Sequence, residues 1–175
     1  MTLIMQISGK ATSGKDTIAM MIKNSLEQEG KKVLIVHYAD YVKDCCVNYF
    51  GATREKTSEN RSKWQEIGTD KGRNVNLDVW VNVIREFIKT FGREYDVIII
   101  PDTRFRNEVN IMNSPDFEEM SVRVVRKGLV SPLSKEQQNH ISETDLDYYN
   151  FDAYIPVEEG LDKVEEAVNK FLISR

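Results

Sequence analysis

Apolar residues along the chain fall into two periods. Runs of strand length occur at Leu3–Ser8, Val33–Tyr38, Val97–Asp102 and Ser121–Arg126, with a shorter one at Phe151–Pro156. Such dense apolar stretches fit strands of a parallel sheet buried on both faces. Segments of helical period separate them. Ile18, Met21, Ile22 and Leu26 predict a helix that ends near Glu29. A stronger stripe, Leu77, Trp80, Val81, Ile84, Phe87, Ile88 and Phe91, predicts one from about Asn76 to Phe91, and Leu161, Val164, Val168, Phe171 and Leu172 predict another over Gly160–Ile173. The alternation predicts an α/β protein, a three-layer α/β/α sandwich around a mostly parallel sheet of about five strands. Two polar stretches interrupt the pattern. Gly51–Lys63 reads as a connection or a short solvated helix, and Lys127–Tyr149, with Pro132, reads as a long functional loop or lid.

Between the first strand and the first helix stands Gly9-Lys10-Ala11-Thr12-Ser13-Gly14-Lys15-Asp16-Thr17. The spacing is G-x-x-x-x-G-K in the strand-loop-helix setting that a phosphate-binding loop requires. Glycines let backbone N–H groups converge on an anion, and Lys15 adds positive charge at a helix N-terminus that already favours anions. Asp16 stands where the motif expects Ser or Thr. A carboxylate beside phosphate oxygens repels them unless a divalent cation lies between. Asp16 is therefore either a Mg²⁺ ligand or turned away, with Thr17 supplying the hydroxyl.

Other candidates follow from the carboxyl ends of strands, where ligands bind in open parallel sheets. Asp40 and Lys43 lie just beyond the second apolar run, although Asp40 equally suits the start of a helix running to Phe50. Asp102 ends the third run, as the Mg²⁺-positioning acid of P-loop enzymes does. Arg104 and Arg106 follow at alternate positions, and Arg126 ends the fourth run. Guanidinium groups match phosphate oxygens with a planar fork of donors. Trp64 and Trp80 read as packing residues, with base stacking the lesser alternative for Trp64.

Composition narrows the class further. A length of 175 residues with 41% apolar content suits one domain over residues 1–175. The net charge of −4 argues against a nucleic-acid footprint. No apolar run is long enough for a membrane span and no secretory leader is evident, so a cytoplasmic protein is expected. The adjacent Cys45 and Cys46 suit neither an unstrained disulfide nor zinc.

Taken together, Ser8-Gly9 through Gly14-Lys15-Asp16-Thr17, Ala39-Asp40 with Lys43-Asp44, Gln65 with Gly68-Thr69-Asp70, Trp80-Val81, Pro101-Asp102-Thr103-Arg104 with Asn107-Glu108, Val125-Arg126, and His140-Ile141-Ser142-Glu143 occur in an order that resembles deoxynucleoside monophosphate kinases of phage type. The chain is shorter than the better-known phage members, chiefly between Phe50 and Trp64. The resemblance implies a P-loop NTPase fold of the nucleoside monophosphate kinase kind and transfer of the γ-phosphoryl of ATP to a deoxynucleoside monophosphate. It further implies Mg²⁺ with ATP as cofactor, an acceptor-binding region over about residues 40–75 and a lid over about residues 127–149. The loop amides of Gly9 to Thr17 and Lys15 would then hold the ATP phosphates, with Asp16 or Thr17 and Asp102 on Mg²⁺. Arg104, Arg106 and Arg126 would clamp donor and acceptor phosphates, Asp40, Lys43, Arg73 and Glu108 would serve the acceptor side, and His140 and Glu143 would belong to the lid. Two alternatives stay open: a P-loop kinase for another acceptor, such as dephospho-coenzyme A or phosphomevalonate, and an ATP-binding regulatory protein without catalysis. Nothing in the sequence decides between a monomer and a homodimer.

Overall fold

In the computed structural model, residues 1–174 are described. The apolar runs become β1 (Thr2–Ser8), β2 (Val33–Ile35), β3 (Val97–Ile100), β4 (Phe117–Arg126) and β5 (Ala153–Val157). They form one five-stranded sheet in the order β2-β3-β1-β4-β5, with every neighbouring pair parallel. Side chains along a strand alternate between faces, and that alternation divides the core. Met5, Ile7 and Ile99 pack with Ile18 and Ile22 of α1 (Lys15–Gln28) and Val164, Val168 and Phe171 of α8 (Leu161–Ile173). Ile4, Ile98 and Ile100 face the other way, onto Val81, Ile84 and Ile88 of α5 (Val79–Phe91). Three layers result, and the strands agree with the expected α/β/α sandwich.

Local differences from the sequence pattern have physical causes. The second strand stops at Ile35 because a helix, α2 (Tyr38–Tyr49), starts early. The Asp102 carboxylate, at the end of β3, accepts from the amides of Tyr38 (3.1 Å) and Ala39 (2.8 Å), satisfying two of the donors that a helix start leaves open. The helix expected from Asn76 begins at Val79, since Arg73 and Asn107 both donate to the Leu77 carbonyl (3.1 and 3.0 Å) and hold that residue in the preceding loop. Leu77 is therefore exposed rather than on the packed face. At β4 the pairing begins earlier than the apolar run, from Thr2 opposite Phe117. Its polar Glu119 is used: it accepts from Gln6 Nε2 (2.8 Å) and from the amides of Met112 and Asn113.

Both polar stretches contain helix. Thr57 caps α3 (Ser58–Gln65), which continues through a π-helical turn (Glu66–Lys71) into α4 (Gly72–Val75). Ser134 and Gln137 form a capping box at the start of α6 (Lys135–Asn139), and α7 (Ile141–Thr144) follows. Among the described residues no helix is long and apolar enough to cross a membrane.

β1 lies in the middle of the sheet, so the loop after Ser8 emerges at the centre of the carboxyl edge. Gly9 holds the turn out of the strand at φ 154°, where an added Cβ would meet Ser13 Oγ at 2.8 Å and the Val124 carbonyl at 2.9 Å. Gly9→Ala is expected to lower unfolding stability by about 2 kcal/mol or more, read as a fall in the urea midpoint. An unchanged midpoint would show that the loop relaxes around a side chain.

Candidate active site

The loop leaves the start of α1 without a cap. Gly14, at φ 93°, stands before α1 without any side-chain cap, so the first amides of that helix remain open to a ligand. Thr12 is also left-handed, at φ 60°. Lys15 folds back over the loop, its Nζ donating to the carbonyls of Gly9 and Lys10, both at 2.8 Å. Burial, with Arg104 nearby, lowers its pKa to about 8, against the pull of Glu143, Asp16 and Asp102.

Above this loop the carboxyl edge opens into a cleft of about 530 Å³. Lys15, Asp16, Asp102 and Arg104 line it on the loop side, and Asp40, Lys43, Arg73 and Glu108 line it on the α2–α4 side. Thr12 and Glu143 also reach it. His37, just before α2, joins the two halves: Nε2 lies 3.6 Å from Asp16 and Nδ1 lies 3.6 Å from Asp40. The contact with His37 holds the Asp16 carboxyl below its ordinary pKa, and the same contact raises that of His37. Burial raises the pKa of Asp102, opposed by the two α2 amides, His37 and Arg104.

Two glutamates hold the arginines. Arg73 donates to Glu108, both side chains almost wholly buried, and also to Asn107 Oδ1, while its guanidinium lies 3.9 Å over the Phe105 ring. Glu108 accepts in addition from the amides of Arg104 (2.6 Å) and Phe105 (3.0 Å). Burial pushes the Glu108 carboxyl up, and Arg73 opposes this. Glu143 joins the lid to the loop: it pairs with Arg104 and accepts from the Ala11 amide at 3.2 Å. Lys10 Nζ reaches the Glu143 carbonyl (2.6 Å) and Asp147.

Some expected site residues stand elsewhere. Thr17 is exposed and does not line the cleft, whereas Asp16 does. Arg106 is exposed and binds Asp145 of the 127–149 segment through its amide (2.8 Å) and Nε (3.3 Å). Arg126 does not line the cleft but lies against the loop, its Nη1 3.9 Å from where a Gly14 side chain would begin. His140 bonds to Ser142 Oγ (2.8 Å) and reaches across to Asp70 at 3.5 Å, outside the cleft lining. Conversely, His37 lines the cleft without having been expected, and so do Lys56, Arg61 and Gln65, which lie in the expected acceptor-binding region of about residues 40–75 but had no individual role there. The rule that chose Asp40, proximity to the end of the second strand, applies equally to His37.

A family model for deoxynucleotide monophosphate kinases matches residues 27–168. The chain belongs to that family. The matched span begins after the phosphate-binding loop, so the loop and the family match are separate observations that agree. As a deoxynucleotide monophosphate kinase the protein is a phosphotransferase that uses nucleotides. No curated protein matches the sequence. The shikimate kinase of Aquifex aeolicus superposes with a TM-score of 0.56 at 17% identity, covering 98% of this chain and 95% of that one. The shikimate kinase of Bacteroides thetaiotaomicron gives 0.54 at 13% identity over 99% of both chains. The APS kinase of Mycobacterium tuberculosis, in complex with AMPPNP and APS, gives 0.53 at 10% identity, covering 98% and 96%. At these identities the likeness concerns the fold.

The kinase's arginine–glutamate pairs lead to one stability prediction. Arg73→Ala leaves Glu108 buried without its counter-charge and should cost about 3–5 kcal/mol, measured by denaturant unfolding; a loss below about 1 kcal/mol would mean that water reaches the pair. Lys15 leads to a second. Free Lys15 loses its proton near pH 8, whereas a phosphate chain binds the ammonium. ATP binding should therefore take up a proton above about pH 8, with affinity falling by up to about tenfold for each further pH step of one. Calorimetry in buffers of different ionisation enthalpy measures both, and an affinity flat up to about pH 9.5 would contradict the assignment.

Proposed function

We propose that this kinase transfers the γ-phosphoryl group of Mg²⁺-bound ATP to the phosphate of a deoxynucleoside monophosphate in the cleft described above, as one cytoplasmic domain acting on small molecules rather than nucleic acid. One observation carries the reading: two sets of cations from different parts of the chain line one cleft. Lys15 and Arg104 come from the phosphate-binding loop and the segment after β3, and Lys43, Lys56 and Arg61 come from α2, the turn before α3 and α3. A kinase with two phosphate-bearing substrates needs cations for both.

The chemistry asks little else of the protein. The second pKa of a phosphate monoester is about 6, so the attacking oxygen is already ionised at neutral pH and no general base is required. Catalysis then consists of aligning donor and acceptor and neutralising charge in a loose transition state. The loop amides and Lys15 bind the donor phosphates, and Arg104 stands beside them. The segment that carries Glu143 already reaches the loop at Ala11 and Arg104, where it helps to exclude water.

The residues also suit Mg²⁺. Among the described residues no three acidic, His or Cys side chains are grouped as a metal cage. Mg²⁺ bound with substrate phosphates asks only for one or two carboxylates and keeps several waters. Asp16, held ionised beside His37, and Asp102 would be those carboxylates, and the ion would supply charge neutralisation on the phosphate oxygens.

A hydroxyl acceptor would instead need a base, for which Asp40 is placed. Its carboxylate is engaged by Lys43 at 3.4 Å and His37 at 3.6 Å, which favours the phosphate acceptor. ADP release with Mg-ATP against deoxynucleoside and ribonucleoside monophosphates, dephospho-coenzyme A and phosphomevalonate tests the proposal. At least one deoxynucleoside monophosphate should stimulate release, and Asp40→Asn should retain most of that turnover. Stimulation by dephospho-coenzyme A alone, abolished in Asp40→Asn, would establish the hydroxyl reading.

A further inference from the structure

The cations that line the cleft differ in whether they already have an anionic partner. Arg73 is enclosed by Glu108, Asn107 and Phe105, with its side chain only 5% exposed. Arg104 is paired with Glu143, and Lys43 with Asp40. Lys15 is satisfied by two loop carbonyls. Among the described residues, Lys56 and Arg61 are the cleft cations with neither a carboxylate partner nor a buried socket: the Arg61 side chain makes one long bond, from Nε to the Lys56 carbonyl at 3.5 Å.

The segment that carries these two residues is constructed rather than loose. Asn60 is buried and organises it, donating through Nδ2 to Thr53 Oγ1 (2.7 Å) and the Glu55 carbonyl (3.0 Å) and accepting from the Thr53 amide (3.1 Å). Thr57 caps α3 by accepting from the Asn60 amide at 3.2 Å. Lys56 is thereby set on the rim and Arg61 on the first turns of α3. Lys56 lines the same cleft as Asp16 and Lys15, so the rim that it occupies borders the cavity that the phosphate-binding loop also borders. Unpaired cations that line the same cleft as Lys15 and Arg104 mark a place where a second phosphate can be received.

We propose that Lys56 and Arg61 receive the phosphate of the acceptor, and that Arg73, which the sequence offers for this role, is a structural arginine that holds Glu108 and the loop after β3. The assignment rests on the reading of the cleft as a monophosphate kinase site. It makes the short 51–65 segment, and not the buried pair behind it, the part of the acceptor wall that touches charge. The anion it takes is a phosphate monoester dianion, which two unpaired cations from one segment can neutralise.

The test is steady-state kinetics of the wild type, Lys56→Ala, Arg61→Ala, Arg61→Lys and the double alanine variant. The probes are dTMP, dGMP, dCMP and dAMP, with the matching deoxynucleosides as inhibitors. Each single alanine variant should raise the KM for the accepted monophosphate by about tenfold, and the double variant by more. The KM for ATP and inhibition by the phosphate-free deoxynucleoside should stay within about twofold of wild type, and Arg61→Lys should recover part of the loss. A monophosphate KM that does not change overturns the assignment. So does equal weakening of nucleotide and nucleoside, which would mean that the wall has lost its shape, and so does a change confined to ATP. A wild type that turns over none of the monophosphates overturns the functional reading itself, and the assignment with it; turnover of a monophosphate that is insensitive to both residues overturns the assignment alone.

Discussion

The arrangement of this cleft depends on where one carboxylate points. Asp102 leaves the end of β3 and takes the first amides of α2, which lies beside the neighbouring strand β2. That contact turns the chain from strand to helix at Tyr38 and sets His37, Asp40 and Lys43 around the cleft. A helix start left without its acceptors costs on the order of 1 kcal/mol, so the interaction is structural in its own right. It also keeps an acid at the centre of the site beside Arg104 and His37. The two usual readings of an acid at a strand end, helix cap and metal-positioning group, here concern the same side chain, since each carboxylate oxygen that accepts an amide retains a second lone pair.

Burial of charge decides what the remaining cations do. An arginine with a buried glutamate is a fixed part of the framework, because parting the two would leave an uncompensated charge in a low-dielectric interior. Glu108 thus engages the Arg73 guanidinium and uses its other oxygen to shape the turn through Arg104 and Phe105. Glu143 treats Arg104 differently. That arginine remains partly exposed on the cleft, and the glutamate that holds it belongs to the segment that also touches the loop at Ala11. A phosphate bound on the loop would compete with that carboxylate for the same donors, and ligand binding would then be linked by charge to the 127–149 segment.

The sheet and its loop were legible in the sequence because they follow from dense local signals: apolar runs of strand length, helical stripes and the glycine spacing of the loop. Element ends were less legible, since they depend on partners far along the chain. Asp102, about sixty residues beyond the second strand, ends it, and Arg73 and Asn107 together delay α5. Short helices α6 and α7 went unread although the Ser134–Gln137 capping box was visible, because a polar surface helix has no apolar stripe. Among site residues, the sequence identifies charged side chains near strand ends but is silent on which are neutralised. Arg73 and Arg106 read like Arg104 until their glutamate and aspartate partners are seen.

Lys15 shows what the site gives up to be ready for phosphate. Its pKa falls from 10.5 to about 8, equivalent to roughly 3 kcal/mol against the protonated form in the folded chain. The unfolded chain binds that proton more tightly, so the penalty is fully present at neutral pH and is relieved as pH rises from about 8 towards 10.5. The two carbonyls that Lys15 holds at 2.8 Å offset only part of it, because they carry partial rather than full negative charge. A phosphate chain supplies the missing charge in the place where the ammonium is already desolvated, and the interaction is strong for the same reason that the empty loop is costly. A nucleotide bound on the loop would therefore stabilise the folded protein through a residue whose burial otherwise costs it stability.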